Sequence, residues 1–255
     1  MGETGQRIWT AALVVIGDEI LSGRTQDKNI AQIATWLNAQ GIRLSEVRVV
    51  ADVQGAIVEA VNTLRARNDY CFTTGGIGPT HDDITVDAVA AALGVPVEIN
   101  AEARAALEAY YSARGLELTE ARLRMARMPE GAALIRNRMS GAPGIRLGSL
   151  FVLAGVPHIT AGMLDALTGE LEGGLPLVSR TIGSWGPESE VAELLARTER
   201  AFEGVAIGSY PFFKEGRVGA NFVIRATDQA VVDACTEALA EGLRAAGHEA
   251  FEGGI

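Results

Sequence analysis

A glycine-rich run that leads into carboxylates is the part of this sequence best suited to chemistry. It reads Gly75-Gly76-Ile77-Gly78-Pro79-Thr80-His81-Asp82-Asp83, follows the short apolar segment Tyr70–Thr74, and precedes apolar residues at helical spacing up to Leu93. A loop between a buried strand and a helix presents unpaired backbone N–H groups and the positive end of the helix dipole to an anion. The run therefore predicts a phosphate-binding loop, whose predicted ligand contacts are Thr74, Gly75, Gly76, Gly78, Pro79, Thr80 and Asp82.

Two carboxylates at the end of this loop, Asp82 and Asp83, predict a cation beside the phosphate. Adjacent acids repel an anionic ligand unless a cation lies between them. Mg²⁺ is usually held by one or two carboxylates together with phosphate oxygens. The alternative is that Thr80 and Asp83 form a capping box of a helix over Asp82–Leu93, with the acids complementing the helix dipole. The residues alone leave both interpretations open.

The spacing of this loop excludes two common nucleotide-binding motifs. A P-loop requires Gly-Lys-Ser/Thr at its end, whereas this loop ends in Pro79-Thr80-His81. A dinucleotide fingerprint requires glycine at its first, third and sixth positions, and counting from Gly76 and Gly78 the sixth position is His81. Neither motif therefore describes the predicted phosphate loop.

The elements that must position this loop alternate between strands and helices. Apolar segments at Ile8–Ile16 and Leu150–Leu153 also end in glycine-bearing turns, which are Gly17–Gly23 and Ala154–Pro157. In open α/β sheets, ligands bind at the carboxyl ends of the parallel strands. The predicted site therefore also includes Gly17, Asp18, Glu19, Ser22 and Gly155.

Asp52 follows another predicted strand, Ile42–Val50. As a lone acid it suits the cap of the next helix. A parallel strand order would nevertheless bring it to the same sheet edge as Asp83, so the residues alone also allow a place for Asp52 in the site.

The order of the elements predicts an α/β fold. A three-layer, doubly wound, mostly parallel sheet is expected over residues 1–172, and a small α+β sandwich domain over residues 177–255. The run Gly173-Gly174-Leu175-Pro176 has the composition of a linker. Within the first domain, helices are predicted at Ala101–Arg114 and Glu120–Met128, with a turn-rich connection at Ser140–Gly144.

Composition limits the classes of function. The 255-residue chain carries a net charge of −10 and has no basic patch, which argues against a nucleic-acid partner. Its two cysteines, Cys71 and Cys235, offer neither a disulfide framework nor metal-ligand spacing, and both suit a core in a reducing cytosol. The N-terminal residues contain no long apolar run and no later segment is long enough to span a membrane, so we expect a cytoplasmic protein without a membrane partner.

Three of these motifs together resemble the MoaB/Mog molybdopterin-binding family. They are Gly17–Gly23, Thr74–Thr85 and Gly155-Val156-Pro157. The most similar branch comprises the N-terminal region of competence-damage-inducible protein A (CinA) and the molybdopterin-binding domain of some FAD synthases. The resemblance covers Ala11–Leu167, and the tail is similar to the small domain that follows in that branch.

This resemblance implies molybdopterin or a nucleotide as the ligand, and Mg²⁺ or another divalent metal as the cofactor. In Mog-type adenylyltransferases, aspartates at the positions of Asp83 and Asp52 serve metal-assisted chemistry. Asp83 and Asp52 are therefore the candidate catalytic residues, and Asp82 and Asp83 the candidate metal ligands. Relatives assemble as dimers or trimers, which implies a homo-oligomer. The resemblance also implies a small phosphorylated ligand as a binding partner.

The resemblance also leaves the activity open. The CinA branch is associated with hydrolysis of pyrophosphate bonds in nucleotides such as ADP-ribose or FAD, so a nucleotide pyrophosphatase is an alternative to a molybdopterin adenylyltransferase. A non-catalytic pterin-binding or scaffold protein is a further alternative. The branch usually has Pro-Gly-Val-Pro-x-Glu-Met where this chain has Ala154–Thr160, so Ile159 replaces the glutamate. Likewise Ser140–Gly144 lacks the usual threonine.

Overall fold

The computed structural model describes residues 7–137 and 139–255. The chain divides into two compact units, one extending to Gly174 and the other covering Leu175–Ile255. Within the described ranges, no helix is both long and apolar enough to cross a membrane.

The described residues of the first unit contain eight strands, six of which form its main sheet. The strands of the unit are β1 (Trp9–Ile16), β2 (Ile42–Val50), β3 (Tyr70–Thr74), β4 (Val97–Ile99), β5 (Arg127–Pro129), β6 (Ala133–Ile135), β7 (Gly144–Leu147) and β8 (Leu150–Leu153). Its helices are α1 (Asp18–Leu21), α2 (Asn29–Ala39), α3 (Gln54–Arg65), α4 (Thr85–Leu93), α5 (Ala101–Ser112), α6 (Glu120–Leu123) and α7 (Pro157–Leu167). The main sheet has the order β2-β1-β3-β8-β7-β6. Its first four strands are parallel, and β7 pairs antiparallel with both β8 and β6. β4 and β5 form a separate antiparallel pair.

Two cores on opposite faces of this sheet make the unit three-layered. Along β1, Ala12, Val14 and Ile16 pack in one core with α3 and α4, whereas Leu13 and Val15 pack in the other with α2 and α7. Successive side chains of a strand point to opposite faces, so a continuous apolar run can serve both cores. The predicted doubly wound α/β class is confirmed.

Two predicted helices differ from the observed ones. The helix predicted to begin at Asp82 begins at Thr85, because Asp82 and Asp83 belong to the preceding loop. The helix predicted over Glu120–Met128 ends as α6 at Leu123 and continues through a 3₁₀ turn into β5. The pairing of β5 with β4 satisfies backbone groups there that a continued helix would have bonded internally. The predicted turn at Ser140–Gly144 leads into the unpredicted strand β7.

The second unit is a four-stranded antiparallel sheet with two helices. Its elements are β9 (Val178–Trp185), α8 (Ala192–Ala201), β10 (Ala206–Lys214), β11 (Arg217–Ala226), α9 (Gln229–Ala245) and β12 (Phe251–Glu252). The sheet order is β10-β11-β9-β12. Residues at helical spacing on α9, including Val232, Cys235 and Leu239, share a core with Phe222 and Ile224 of β11. The second unit has the α+β architecture that was predicted for the small domain.

Candidate functional site

Three glycine-bearing loops meet at one edge of the first unit's sheet. They follow β1, β3 and β8, which are adjacent parallel strands with β3 in the middle. The loop after β3, Gly75–Asp83, therefore has the loops that begin at Gly17 and Ala154 on its two sides. We call the Gly75–Asp83 segment the glycine loop. Its position is the one that the alternating strand pattern predicted.

Gly75 lies where these loops come closest. Its φ of +99° lies in a region that side-chain-bearing residues rarely adopt, and a Cβ on it would lie 2.1 Å from the carbonyl oxygen of Ile16. On the other side, a Cβ on Gly155 would lie 3.2 Å from the Cα of Gly75. The N–H of Gly75 also donates to the carbonyl of Leu153 at 3.2 Å. Only a residue without a side chain fits between the two neighbouring strand ends.

The glycine loop presents a row of free amides. The Thr85 hydroxyl donates to the carbonyl of Gly75 at 2.8 Å, and the Thr85 N–H donates to the carbonyl of Gly76 at 3.0 Å. In contrast, the N–H groups of Gly76, Ile77 and Gly78 donate to no acceptor in the part of the chain that the structure describes. Consecutive free amides next to a helix start form a site suited to an anion.

Asp83 shapes the end of the glycine loop. Its carboxylate accepts hydrogen bonds from the Thr80 N–H at 2.8 Å and from the Thr80 hydroxyl at 2.5 Å. These bonds close a turn ahead of α4, whose N-cap is Ile84 and receives no side-chain capping bond. The capping-box alternative is therefore wrong as an account of the helix start. Asp82 is exposed beside this turn.

A second group of acids lies beside the glycine loop. The Asp52 carboxylate accepts a hydrogen bond from the backbone N–H of Asp18 at 2.9 Å, which ties the end of β2 to α1. Partial burial raises the pKa of the Asp52 carboxyl above its ordinary value, although the bond from Asp18 opposes this rise. Repulsion from the carboxylates of Asp18, Glu19 and Asp82 raises the pKa of Asp52 further. The acids are thus close enough to affect one another.

The glycine loop and the loop after β8 line a cavity of about 520 Å³. That volume lies within the range of small-molecule sites. Seven of the predicted site residues line it, namely Glu19, Gly75, Gly76, Gly78, Pro79, Asp83 and Gly155. The other predicted residues do not line the cavity, and they are Gly17, Asp18, Ser22, Asp52, Thr74, Thr80 and Asp82. The cavity therefore joins the free amides to two carboxylates, those of Glu19 and Asp83.

Some of the predicted residues outside the cavity wall bond to neighbouring backbone carbonyls. The N–H of Gly17 donates to the carbonyl of Val50 at 3.2 Å, and the Ser22 hydroxyl donates to the carbonyl of Glu19 at 3.3 Å. Thr74 is buried at the end of β3, and its hydroxyl has no partner in the described part of the chain.

Much of the cavity wall was not predicted. The additional lining residues are Thr25, Ile77, Tyr111, Met125, Ser140, Ala142, Ala154, Val156, Pro157, Ile159 and Met163. Several of them stand in or beside motifs that the sequence had marked, such as the turn at Ser140–Gly144 and the loop after β8. Tyr111 of α5 and Met125, however, carry no local signal that points to a site. Most of these side chains are apolar, so the cavity pairs polar backbone at one loop with an apolar wall.

Side chains from α2 and α7 fix the loop after β8. Thr160 donates to the carbonyl of Ala154 at 2.6 Å, and Asn29 donates to the carbonyl of Gly155 at 2.8 Å. Gln32 donates to the carbonyl of Pro157 at 3.3 Å. These bonds hold the loop's carbonyl groups against the two helices. Asn29 had no signal in the sequence beyond its place near a helix start.

Carboxylate oxygens are the metal donors that the site offers. Glu19 and Asp83 both line the cavity, and such hard oxygen donors suit Mg²⁺. Within residues 7–137 and 139–255, no three His, Cys, Asp or Glu side chains are grouped so that they could hold a metal ion by themselves. A metal here would complete its coordination with ligand phosphate oxygens and water, as Mg²⁺ commonly does.

Two family models match the chain. Residues 12–173 match the probable molybdopterin binding domain, and residues 176–250 match the middle domain of FAD synthase. A protein from Aeropyrum pernix is 34% identical over 252 residues, which cover 95% of this chain and 92% of that protein.

Two proteins that carry the CinA name are also similar. A CinA-like protein from Desulfosudis oleivorans is 36% identical over 218 residues, which cover 80% of this chain and 52% of the relative. The chain thus matches about half the length of that relative. The crystal structure of the protein CinA from Thermoplasma acidophilum matches with a TM-score of 0.58 and 32% identity, covering 63% of this chain and 98% of that one.

Proposed function

The chain belongs to the family of probable molybdopterin-binding domains, and we propose that its cavity binds a phosphorylated pterin or nucleotide for metal-assisted phosphoanhydride chemistry. The observation that carries the proposal is the row of free amides at Gly76, Ile77 and Gly78, which lines a cavity of about 520 Å³. Phosphate oxygens accept hydrogen bonds from such amides, and the start of α4 adds a favourable dipole.

Glu19 and Asp83 are the residues that would hold Mg²⁺ in this proposal. A bound divalent metal neutralises phosphate charge and polarises the bond to be broken. Thr80 holds the Asp83 carboxylate through two hydrogen bonds, so this acid keeps a fixed place in the cavity wall. Asp82 is exposed and outside the wall, and we assign it a contribution to the local field rather than a direct ligand role.

The chain's own groups bind and orient the ligand. The free amides fix the phosphates, and the apolar wall that includes Met125 and Ile159 shields the bound ligand from bulk water. Asp52 lies outside the wall and acts through Asp18, whose N–H it accepts, so that α1 and Glu19 keep their positions. Asp52 is therefore a positioning residue in this proposal.

Binding without turnover is the second candidate function. The Thr80 N–H and the Thr80 hydroxyl both donate to the same oxygen of the Asp83 carboxylate. That oxygen is therefore already occupied by hydrogen bonds within the protein. In addition, the cavity presents the apolar Ile159 at the position where the CinA branch usually has a glutamate. Both observations favour a pterin- or nucleotide-binding protein that lacks part of the catalytic machinery.

A calorimetric and product-based comparison of Asp83→Asn with Asp87→Asn tests the proposal. Asp87 is a matched control, because it lies on α4 next to the loop but pairs with Arg127 at 2.6 Å and does not line the cavity. Binding of ADP, ADP-ribose and FAD is measured with and without Mg²⁺, and products are identified by mass spectrometry. The small molecule that co-purifies with the protein is identified in the same way.

The outcomes separate the candidates. Turnover that Asp83→Asn abolishes and Asp87→Asn preserves supports metal-assisted chemistry, and release of a mononucleotide without any pterin acceptor identifies a pyrophosphatase. Binding without turnover under any divalent metal supports the second candidate. If the wild-type protein binds none of these compounds and carries no phosphorylated molecule from the cell, the proposed function is wrong.

A further inference from the structure

The apolar wall of the cavity contains a single aromatic side chain among the described residues, that of Tyr111 on α5. The half-buried ring of Tyr111 shares the cavity with Ile77 and Gly78 of the glycine loop. The hydroxyl of Tyr111 has no hydrogen-bond partner in the part of the chain that the structure describes. One residue thus offers the cavity an aromatic surface and an unused hydrogen-bonding group.

Neighbouring side chains that do not line the cavity hold the Tyr111 ring in place. The Arg122 guanidinium lies 4.4 Å from the ring centroid, in cation–π contact. Arg122 is itself tied down, because it donates to the carbonyl of Glu117 at 2.5 Å. The Tyr110 ring meets Tyr111 edge to face, with centroids 5.4 Å apart and planes at 89°. The ring therefore has support from two sides.

Tyr110 connects this support to another part of the cavity wall. Its hydroxyl donates to the carbonyl of Met139 at 3.3 Å, and the Arg114 guanidinium lies 3.5 Å from its ring centroid. Gly141 lies directly beneath the Tyr110 ring, where an added Cβ would come within 2.3 Å of it. Tyr110, Tyr111 and the turn that carries Ser140 and Ala142 thus form one braced surface.

We propose that Tyr111 determines ligand specificity by packing against a planar ring of the ligand, while the glycine loop holds its phosphates. This inference rests on the proposed function and narrows the ligand to one in which an aromatic heterocycle and a phosphate group are joined. A planar ring gains from a fixed aromatic partner, since little conformational entropy is lost when the partner is already held. The phosphate fixes one end of the ligand and the ring contact selects the other.

Affinity measurements with two probes test this assignment in the full chain. ADP carries a ring and two phosphates, whereas inorganic pyrophosphate carries only the phosphates. Loss of a stacked aromatic side chain weakens binding of a base by about tenfold. We therefore expect Tyr111→Leu to raise the dissociation constant of ADP by about tenfold and to leave that of pyrophosphate unchanged. Tyr111→Phe keeps the ring and should retain most of the ADP affinity.

Tyr210→Leu is the matched control, because it makes the same change at an exposed tyrosine of β10 in the second unit. Thermal unfolding of each variant confirms that it is folded. Equal weakening of ADP and pyrophosphate by Tyr111→Leu, or no weakening of either, would overturn the role of Tyr111 while leaving the proposed function intact. If the wild-type chain binds neither ADP nor pyrophosphate, the role of Tyr111 is overturned. The proposed function fails with it only if the chain also binds neither ADP-ribose nor FAD and carries no phosphorylated molecule from the cell.

Discussion

Replacing Gly75 with alanine should destabilise the first unit far more than the same change at another glycine with positive φ. A Cβ at Gly75 would lie 2.1 Å from the carbonyl oxygen of Ile16, which belongs to the backbone and cannot rotate away. Gly94 is the matched control, since its φ is +69° and a Cβ there meets nothing within 4 Å. The difference between the two variants isolates the close approach of the loop to β1.

The magnitudes follow from these two environments. The left-handed backbone alone costs a residue with a side chain about 1–2 kcal/mol, which is the whole effect expected for Gly94→Ala. At Gly75 the clash adds an overpacking cost of about 1–3 kcal/mol, because β1 and β3 must separate locally. Gly75→Ala should therefore lower the free energy of unfolding by about 2–5 kcal/mol, and by clearly more than Gly94→Ala.

Urea unfolding followed by tryptophan fluorescence measures this difference. Trp9 and Trp36 pack against the core of the first unit, whereas Trp185 lies in the second. A Trp185→Phe background therefore makes the signal report on the first unit alone. If Gly75→Ala and Gly94→Ala destabilise it equally, the loop moves freely away from Ile16 and the account of the three converging strand ends is wrong.

Three further predictions concern side chains around the glycine loop. The pKa of Asp52 is raised in the folded protein, so the stability that Asp52 contributes falls as the pH rises from the ordinary pKa of 3.8 through the folded value. Asp52→Asn should remove this fall in the free energy of unfolding, measured by urea titrations between pH 3 and 7. Thr85→Val leaves the buried carbonyl of Gly75 unsatisfied and should cost about 1–3 kcal/mol in the free energy of unfolding, whereas an unchanged value would show that the hydroxyl bond is dispensable. Asp87→Asn breaks a pair with Arg127 that is partly solvent-exposed, so it should cost under about 1 kcal/mol, and a cost that does not shrink at high salt would contradict an electrostatic origin.

The strand ends of the site could be predicted from the sequence because they depend on short-range patterns. Tyr70–Thr74 and Leu150–Leu153 are continuous apolar runs that stop at glycine-bearing turns, and the structure has strands with those bounds. Parallel strands then place such turns at one edge of the sheet, whatever the details of the connections. Glu19, Asp83 and the glycines reach the cavity for this reason.

Other parts depended on contacts between distant segments. Glu120–Met128 has apolar residues at helical spacing, yet Arg127 pairs with Asp87 and its strand pairs with β4, so the end of the segment is extended. Likewise, α4 starts at Thr85 rather than Asp82 because Thr85 bonds back to the carbonyls of the glycine loop. No local pattern could reveal either interaction.

The aromatic part of the cavity wall shows the same limit in a functional residue. Tyr111 stands on α5, whose own apolar pattern accounts for Leu107 in the core but gives no reason for a tyrosine at the cavity. Its position depends on Arg122 and on the turn beneath Tyr110, which lie about 10 to 30 residues further along the chain. A sequence pattern covers one element at a time, whereas a braced wall requires several.

The charge of the chain sets a condition on any anionic ligand. A protein with a net charge of −10 and acids at Glu19 and Asp83 in its cavity repels a phosphate group at long range. Binding must therefore come from short-range groups, and the free amides of the glycine loop are such groups because their partial charges act within hydrogen-bond distance. The remaining repulsion from the two carboxylates is what a divalent cation would relieve. We therefore expect a phosphate ligand to bind more tightly when a divalent metal is present than when it is absent. Asp83→Asn should reduce this gain in affinity, even where it leaves binding without metal intact.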